Sequence, residues 1–142
     1  WDRRREILLN EKGVIEKFGV APESIPDFLA LVGDSADGYP GIQGWGEKST
    51  ATVLAQYKHI EALPNDPTKL GLSVGRATTL LENLQKNYKD ALLFRELSTL
   101  RTDVPLKETL VDLKWQGAHP RLKKVCQELR SESVIDRVTK WR

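Results

Sequence analysis

One cysteine, no methionine and no long apolar run set the first limits on this sequence of 142 residues. A lone Cys126 excludes an internal disulfide and fits a reducing compartment. It lies in an amphipathic helical pattern, which makes it a small core residue rather than a nucleophile. No stretch approaches the roughly 20 apolar residues of a membrane span, and no signal-peptide pattern is present, so no membrane partner is expected. The missing methionine, with Trp1 in first place, reads as a piece cut from a longer protein. An excess of one charge is also lacking. Against 22 Lys and Arg stand 20 Asp and Glu, a net charge of +2 that by itself names no nucleic-acid partner. The balance is uneven, however: Arg101 to Arg142 holds 10 basic and 6 acidic residues.

What is present is a composition ordinary for a globular domain, 39% hydrophobic and 30% charged. Few segments alternate with period two, whereas several repeat with helical period, so the expected class is mostly α. Short helices are predicted over Val14 to Phe18, stopped by Gly19, and over Pro22 to Val32, with Ser24 as cap and Pro26 in the first turn. Longer ones are predicted over Glu47 to Tyr57, Arg76 to Tyr88 and Lys89 to Thr99, the last with Leu92, Leu93, Leu97 and Leu100 as its apolar stripe. Pro120 to Leu129 and Val134 to Trp141 read as the final helices. Asn10 to Gly13 reads as a turn, and Trp115 and Trp141 as packing residues.

The informative stretch is GDSADGYPGIQGWGEKSTATVL, Gly33 to Leu54. Two carboxylates three residues apart precede four glycines between Gly38 and Gly46, and a helix follows. Gly41, Gly44 and Gly46 are spaced for a tight hairpin, since glycine permits positive φ and close backbone approach. The free N–H groups and positive dipole end of the next helix suit an anion, a phosphate above all. Lys48 stands in that first turn, where the dipole disfavours a cation unless an anion faces it. Ser49 and Thr50 add hydroxyls. Such a site grips a sugar–phosphate backbone and reads no bases. The plainer alternative is a sharp helix–helix turn and nothing more. Asp34 and Asp37, placed on one side of a helical turn, would suit a divalent metal between them. Alternatively Asp34 is a cap and Asp37 a turn residue before Gly38. A weaker echo of glycine turn and helix recurs at Gly71 to Ala77. His59 and His119 are isolated from any zinc-spaced partner. Arg3 to Arg5, Arg121, Lys123 and Lys124 read as solvated faces or as extensions of a phosphate footprint.

These residues resemble the 5′→3′ exonuclease and flap endonuclease family, which includes the 5′-nuclease domain of bacterial DNA polymerase I. The family pattern is roughly Gly-Asp-x-x-Asp-Asn-x-Pro-Gly-Ile/Val-x-Gly-Ile/Val-Gly-x-Lys-Ser/Thr-Ala. Gly33, Asp34, Asp37, Pro40, Gly41, Ile42, Gly44, Gly46, Lys48 and Ser49 match it. Gly38, Trp45 and Thr50 depart from it. Lys17 to Glu23 and the stretch LSTLRTDVPL, Leu97 to Leu106, resemble the family's segments on either side.

The resemblance implies a helical, SAM-like C-terminal domain with a helix–3-turn–helix motif over residues 14–142, preceded in 1–13 by a remnant of an α/β catalytic domain. It implies Mg²⁺ or Mn²⁺ on Asp34 and Asp37, and K⁺ on the hairpin at Gly41, Ile42, Gly44, Trp45 and Ser49. DNA phosphates would meet Gly44, Gly46, Lys48, Ser49 and Thr50. The implied partners are double-stranded DNA with a 5′ end or flap and the family's N-terminal catalytic domain. The chain would act as a monomer in the bacterial cytoplasm, at the nucleoid. No complete catalytic set stands in this sequence, so the chain alone is expected to cut little DNA. The rivals are a non-catalytic helix–hairpin–helix or scaffold module, a DNA glycosylase using Asp66, and a helical protein-interaction domain.

Overall fold

The computed structural model describes residues 6–142, so Arg3 to Arg5, within the first five residues of the expected N-terminal remnant, lie outside the described residues. The chain forms two compact units, divided after Arg101. Among the described residues the first holds five α-helices: α1 (Glu11–Phe18), α2 (Ile25–Val32), α3 (Glu47–Tyr57), α4 (Val74–Lys86) and α5 (Tyr88–Leu97). The helix expected from Val14 begins earlier, at Glu11, because Asn10 caps it by accepting the Gly13 N–H at 3.0 Å. What read as a turn from Asn10 to Gly13 is the cap and first turn of a helix. Ser24 occupies the N-cap position of α2 but makes no capping bond; its hydroxyl is buried without a partner.

The core of this unit gathers Val20, Phe28, Leu31, Ile42, Trp45, Val53, Leu54, Ile60, Leu70, Leu80 and Leu84. Helix α2 packs against both α3 and α5. The apolar stripe expected on α5 is not what α5 buries: Leu93, Leu97 and Leu100 are exposed. Ala91 makes the close approach, Phe94 packs beside it, and Arg95 reaches inward. Arg95 Nη1 donates to Asp27 Oδ1 of α2 at 3.0 Å and forms a second, two-pronged pair with Glu61. Asp27, 2% exposed at its side chain, also meets His59 Nδ1 at 3.0 Å and accepts the Ile60 N–H at 3.2 Å. One buried carboxylate thus ties α2, α5 and the 3₁₀ turn Ile60–Ala62 together. A buried charge is tolerable only when paired and hydrogen-bonded in this way.

The second unit, Thr102–Arg142, contains α6 (Arg121–Glu128) and a 3₁₀ turn, Glu132–Arg137. The α-helix expected from Val134 to Trp141 does not form. The chain instead leaves the 3₁₀ turn extended and pairs with Ala118, whose N–H donates to the Lys140 carbonyl at 2.8 Å while Arg142 N–H donates back at 3.1 Å. Cys126 is buried, as its pattern indicated. Trp115 is 66% exposed and is not a packing residue. Trp141 lies beneath Lys123, whose Nζ is 5.0 Å from the ring centre. Among the described residues, no helix is long and apolar enough to cross a membrane.

Candidate nucleic-acid interface

The chain leaves α2 at Gly33 and at once crosses itself. Gly33 N–H closes the helix on the Leu29 carbonyl at 2.7 Å, and Ile42 N–H returns to the Leu31 carbonyl at 2.8 Å. Between these bonds the backbone at Gly33 and at Gly41 is in direct contact. A Cβ on Gly41 would lie 2.4 Å from Gly33 N, and one on Gly33 would lie 2.6 Å from the Pro40 carbonyl. Both residues have positive φ. The acidic segment is therefore a loop stapled at its base by two glycines, only one of which the hairpin spacing singled out.

Inside that loop Asp34 and Tyr39 face one another, with Asp34 N–H donating to Tyr39 O at 3.0 Å. Asp34 Oδ1 accepts the N–H of Ala36 at 2.9 Å and of Asp37 at 3.3 Å. The Asp34 side chain thus holds the turn that carries Asp37, and the two acids sit on a tight turn rather than on a helix. Asp34 is half-buried and Asp37 exposed. Tyr39 is buried with its ring stacked on Phe94, 5.5 Å between centroids. Burial first, then the carboxylates of Asp34 and Asp37, push its phenol above the ordinary value, so both acids lie within electrostatic reach of one buried ring. Among the described residues no third His, Cys, Asp or Glu joins the pair as a metal cluster. Two carboxylates do fit Mg²⁺, which keeps several waters and takes the rest of its shell from substrate phosphate.

The hairpin follows directly. Trp45 N–H donates to the Ile42 carbonyl at 3.0 Å, closing the turn. Helix α4 clasps it from the side: Trp45 Nε1 donates to Leu80 O at 3.0 Å, and Asn83 Nδ2 donates to Gln43 O at 2.9 Å. Trp45 is buried, so its indole is part of the core and only its backbone belongs to the hairpin surface. Gly44, at φ +86, turns the chain outward beside Leu80 and Asn83.

Helix α3 begins at Gly46. Ser49 Oγ accepts the Gly46 N–H at 3.3 Å and donates to the Gly46 carbonyl at 3.0 Å, which caps the helix from inside. Ser49 is buried and also receives Arg76 Nη2 at 3.3 Å. Its hydroxyl is engaged by protein groups, with a guanidinium against it where K⁺ would need a donor. Thr50 is fully buried and its hydroxyl has no partner, so its side chain presents nothing to a phosphate. Gly44, Gly46 and Lys48 are exposed, and no carboxylate among the described residues pairs with Lys48.

Thr50→Val should therefore leave DNA affinity unchanged and raise stability by up to about 1 kcal/mol, because it removes a buried unpartnered hydroxyl at constant volume. Thermal unfolding alongside a DNA titration checks both parts.

Two contributors escaped the sequence reading, Asn83 and Arg76, and Gly33 entered it only as a match to the family pattern. The glycine echo at Gly71 to Ala77 was the one available signal, since it leads into α4. Asp66 is exposed and caps the 3₁₀ turn Pro67–Lys69 through Thr68, so it is not the buried acid that glycosylase chemistry would need. A cleft of about 700 Å³, lined by Leu63, Thr78, Leu81, Gln85 and Tyr88, holds neither the acids nor the hairpin glycines.

A family model described as "5′-3′ exonuclease, C-terminal SAM fold" matches residues 20–121. The chain is 36% identical over 135 residues to a 5′-3′ exonuclease of Aquifex aeolicus, covering 95% of this chain and 44% of the relative. It is 33% identical over 139 residues to a DNA polymerase I of Caldicellulosiruptor bescii, covering 97% of this chain and 16% of the relative. A DNA polymerase I of Rhizobium leguminosarum is 40% identical over 106 residues, 75% of this chain and 10% of its own length. The chain thus spans less than half the length of these curated relatives. The family model, matching well over half of the chain, shows that the chain belongs to the 5′-3′ exonuclease family, as its mostly helical C-terminal SAM-fold domain.

Proposed function

We propose that this domain grips the sugar–phosphate backbone of double-stranded DNA without reading sequence, and lends Asp34 and Asp37 to a divalent-metal site of a 5′→3′ exonuclease or flap endonuclease. The observation that carries the reading is the first turn of α3. There Lys48 is exposed with no carboxylate partner among the described residues, next to Gly46, whose outer side is open for 4 Å. A cation at a helix N-terminus costs stability unless an anion faces it. Open glycine, free amides and that cation together suit a phosphate.

A bound divalent ion would polarise a phosphate oxygen and help activate water for in-line attack. The protein's part is to hold Asp37 on the turn that Asp34 braces, against the Tyr39–Phe94 stack. The other metal ligands and catalytic groups would come from a companion N-terminal domain. Potassium, if bound at the hairpin, would use carbonyls of Gly41, Ile42, Gly44 and Trp45 in preference to the engaged hydroxyl of Ser49.

The test is titration of a duplex carrying a single-stranded 5′ flap, following binding and cleavage together, with and without Mg²⁺ and K⁺. Expected are sequence-blind, salt-sensitive binding that Lys48→Ala weakens, and little or no cleavage by the chain alone. Metal-dependent cleavage by a clean sample, lost in Asp34→Ala, would overturn the half-site assignment. The bracing of its own turn by Asp34 favours one second reading, a non-catalytic DNA-binding module, which predicts binding indifferent to Mg²⁺.

A further inference from the structure

Helix α4 starts much as α3 does. Gly75 and Arg76 stand in its first turn, as Gly46 and Lys48 stand at the start of α3. Nothing lies within 4 Å of where a Cβ on Gly75 or on Gly46 would be, and neither has positive φ. No internal packing therefore calls for glycine at either position. The two helix starts are joined by one side-chain bond, from Arg76 Nη2 to Ser49 Oγ at 3.3 Å. Ser49 is 4% exposed and its hydroxyl is fixed to both the N–H and the carbonyl of Gly46. The guanidinium is thus anchored at the N-cap of α3 by a buried, immobile group.

An Arg has five N–H donors in a planar fork, and this bond engages one nitrogen of Arg76. No carboxylate among the described residues pairs with it, although the residue is exposed. Its place in the first turn of α4, which holds no acid, is opposed by that helix's own dipole. A pre-oriented guanidinium with donors to spare, at a helix N-terminus that favours an anion, has the form of a phosphate ligand.

We propose that Arg76 is a second DNA-phosphate contact, held beside the Lys48 site by Ser49, so that the starts of α3 and α4 grip two phosphates as a unit. The inference rests on the DNA-binding reading above and adds a residue to it.

The test uses the full 142-residue chain. Fluorescence anisotropy with two duplexes of unrelated sequence is followed over a salt series for wild type, Arg76→Gln, Arg76→Lys and Lys48→Gln. Glutamine keeps a donor for Ser49 and removes the charge. Arg76→Gln should lower affinity roughly 5- to 10-fold near 0.1 M salt on both duplexes, and flatten the log–log salt dependence by about 0.9. Arg76→Lys should restore the slope but not the full affinity, because the fork is lost. Weakened binding in Lys48→Gln with Arg76→Gln unchanged overturns the second contact and leaves the DNA reading intact. A loss in Arg76→Gln with unchanged slope also overturns it, by showing that Arg76 acts through the packing of Ser49. If neither charge matters while the chain still binds DNA, the phosphate sites at both helix starts fall; if the wild-type chain binds no DNA even at low salt, the DNA reading falls and this inference with it.

Discussion

Gly41→Ala is expected to destabilise the chain by about 3–5 kcal/mol, whereas Gly46→Ala changes stability by about 1 kcal/mol or less and instead lowers DNA affinity. The contrast follows from what a methyl group meets. At Gly41 it would sit 2.4 Å from Gly33 N, 2.5 Å from Val32 C and 2.6 Å from Leu31 O. All three are backbone atoms, held by the bonds that end α2 and start the hairpin, and no side-chain rotation relieves them. The positive φ of +73° adds its own strain for any residue with a Cβ. Relief requires the crossing to open, which moves the acidic loop and the hairpin together. At Gly46 the backbone is extended, φ −110°, and the Cβ position is empty. The methyl there faces outward, toward where a phosphate backbone would lie. Thermal unfolding and DNA titration of both variants separate the cases. Unchanged DNA affinity in Gly46→Ala would reduce that glycine to a helix cap.

The same contrast shows which features the sequence displays and which it hides. Helix α3 was legible from Glu47 to Tyr57 because its signals are local: a glycine turn before it and apolar residues at helical spacing. The hairpin was legible for the same reason. The acid pair was legible as an alternative between metal site and turn, and the turn geometry is compatible with both. What was hidden depends on partners far along the chain. His59 looked isolated, yet its partner Asp27 lies 32 residues away. The leucines of α5 looked like a buried stripe, but the helix turns Ala91 and Arg95 inward because Arg95 bonds a carboxylate 68 residues earlier. Trp141 looked helical, and its extended backbone is dictated by Ala118. Thr50 looked like a phosphate ligand because it follows Lys48 and Ser49; one further step around α3 carries it into the core.

Asp27→Ala should cost about 3–5 kcal/mol, a large part of the stability of a domain this size. The carboxylate is 2% exposed and receives donors from three directions, Arg95, the Ile60 N–H and the His59 ring. Removing it leaves the Ile60 amide without its bond and a partly buried guanidinium with Glu61 alone. Asp27→Asn should cost less, since the amide oxygen still accepts from Ile60 while the ion pair is lost. Chemical denaturation of both variants measures the order; a loss below about 1 kcal/mol in Asp27→Ala would mean that α2 and α5 are held by Phe28, Ala91 and Phe94 without it. The outer half of the cluster adds a pH dependence. The hydrogen bonds from Arg95 hold the Glu61 carboxyl below its ordinary value of 4.5. A carboxyl whose value is lowered on folding stabilises the native state fully above the unfolded value, and that contribution fades as pH falls through the folded one. Wild-type stability should therefore decline below about pH 4.5 more steeply than that of Glu61→Gln, which lacks the titrating group; parallel curves would show that the Arg95–Glu61 pair is too well solvated to matter.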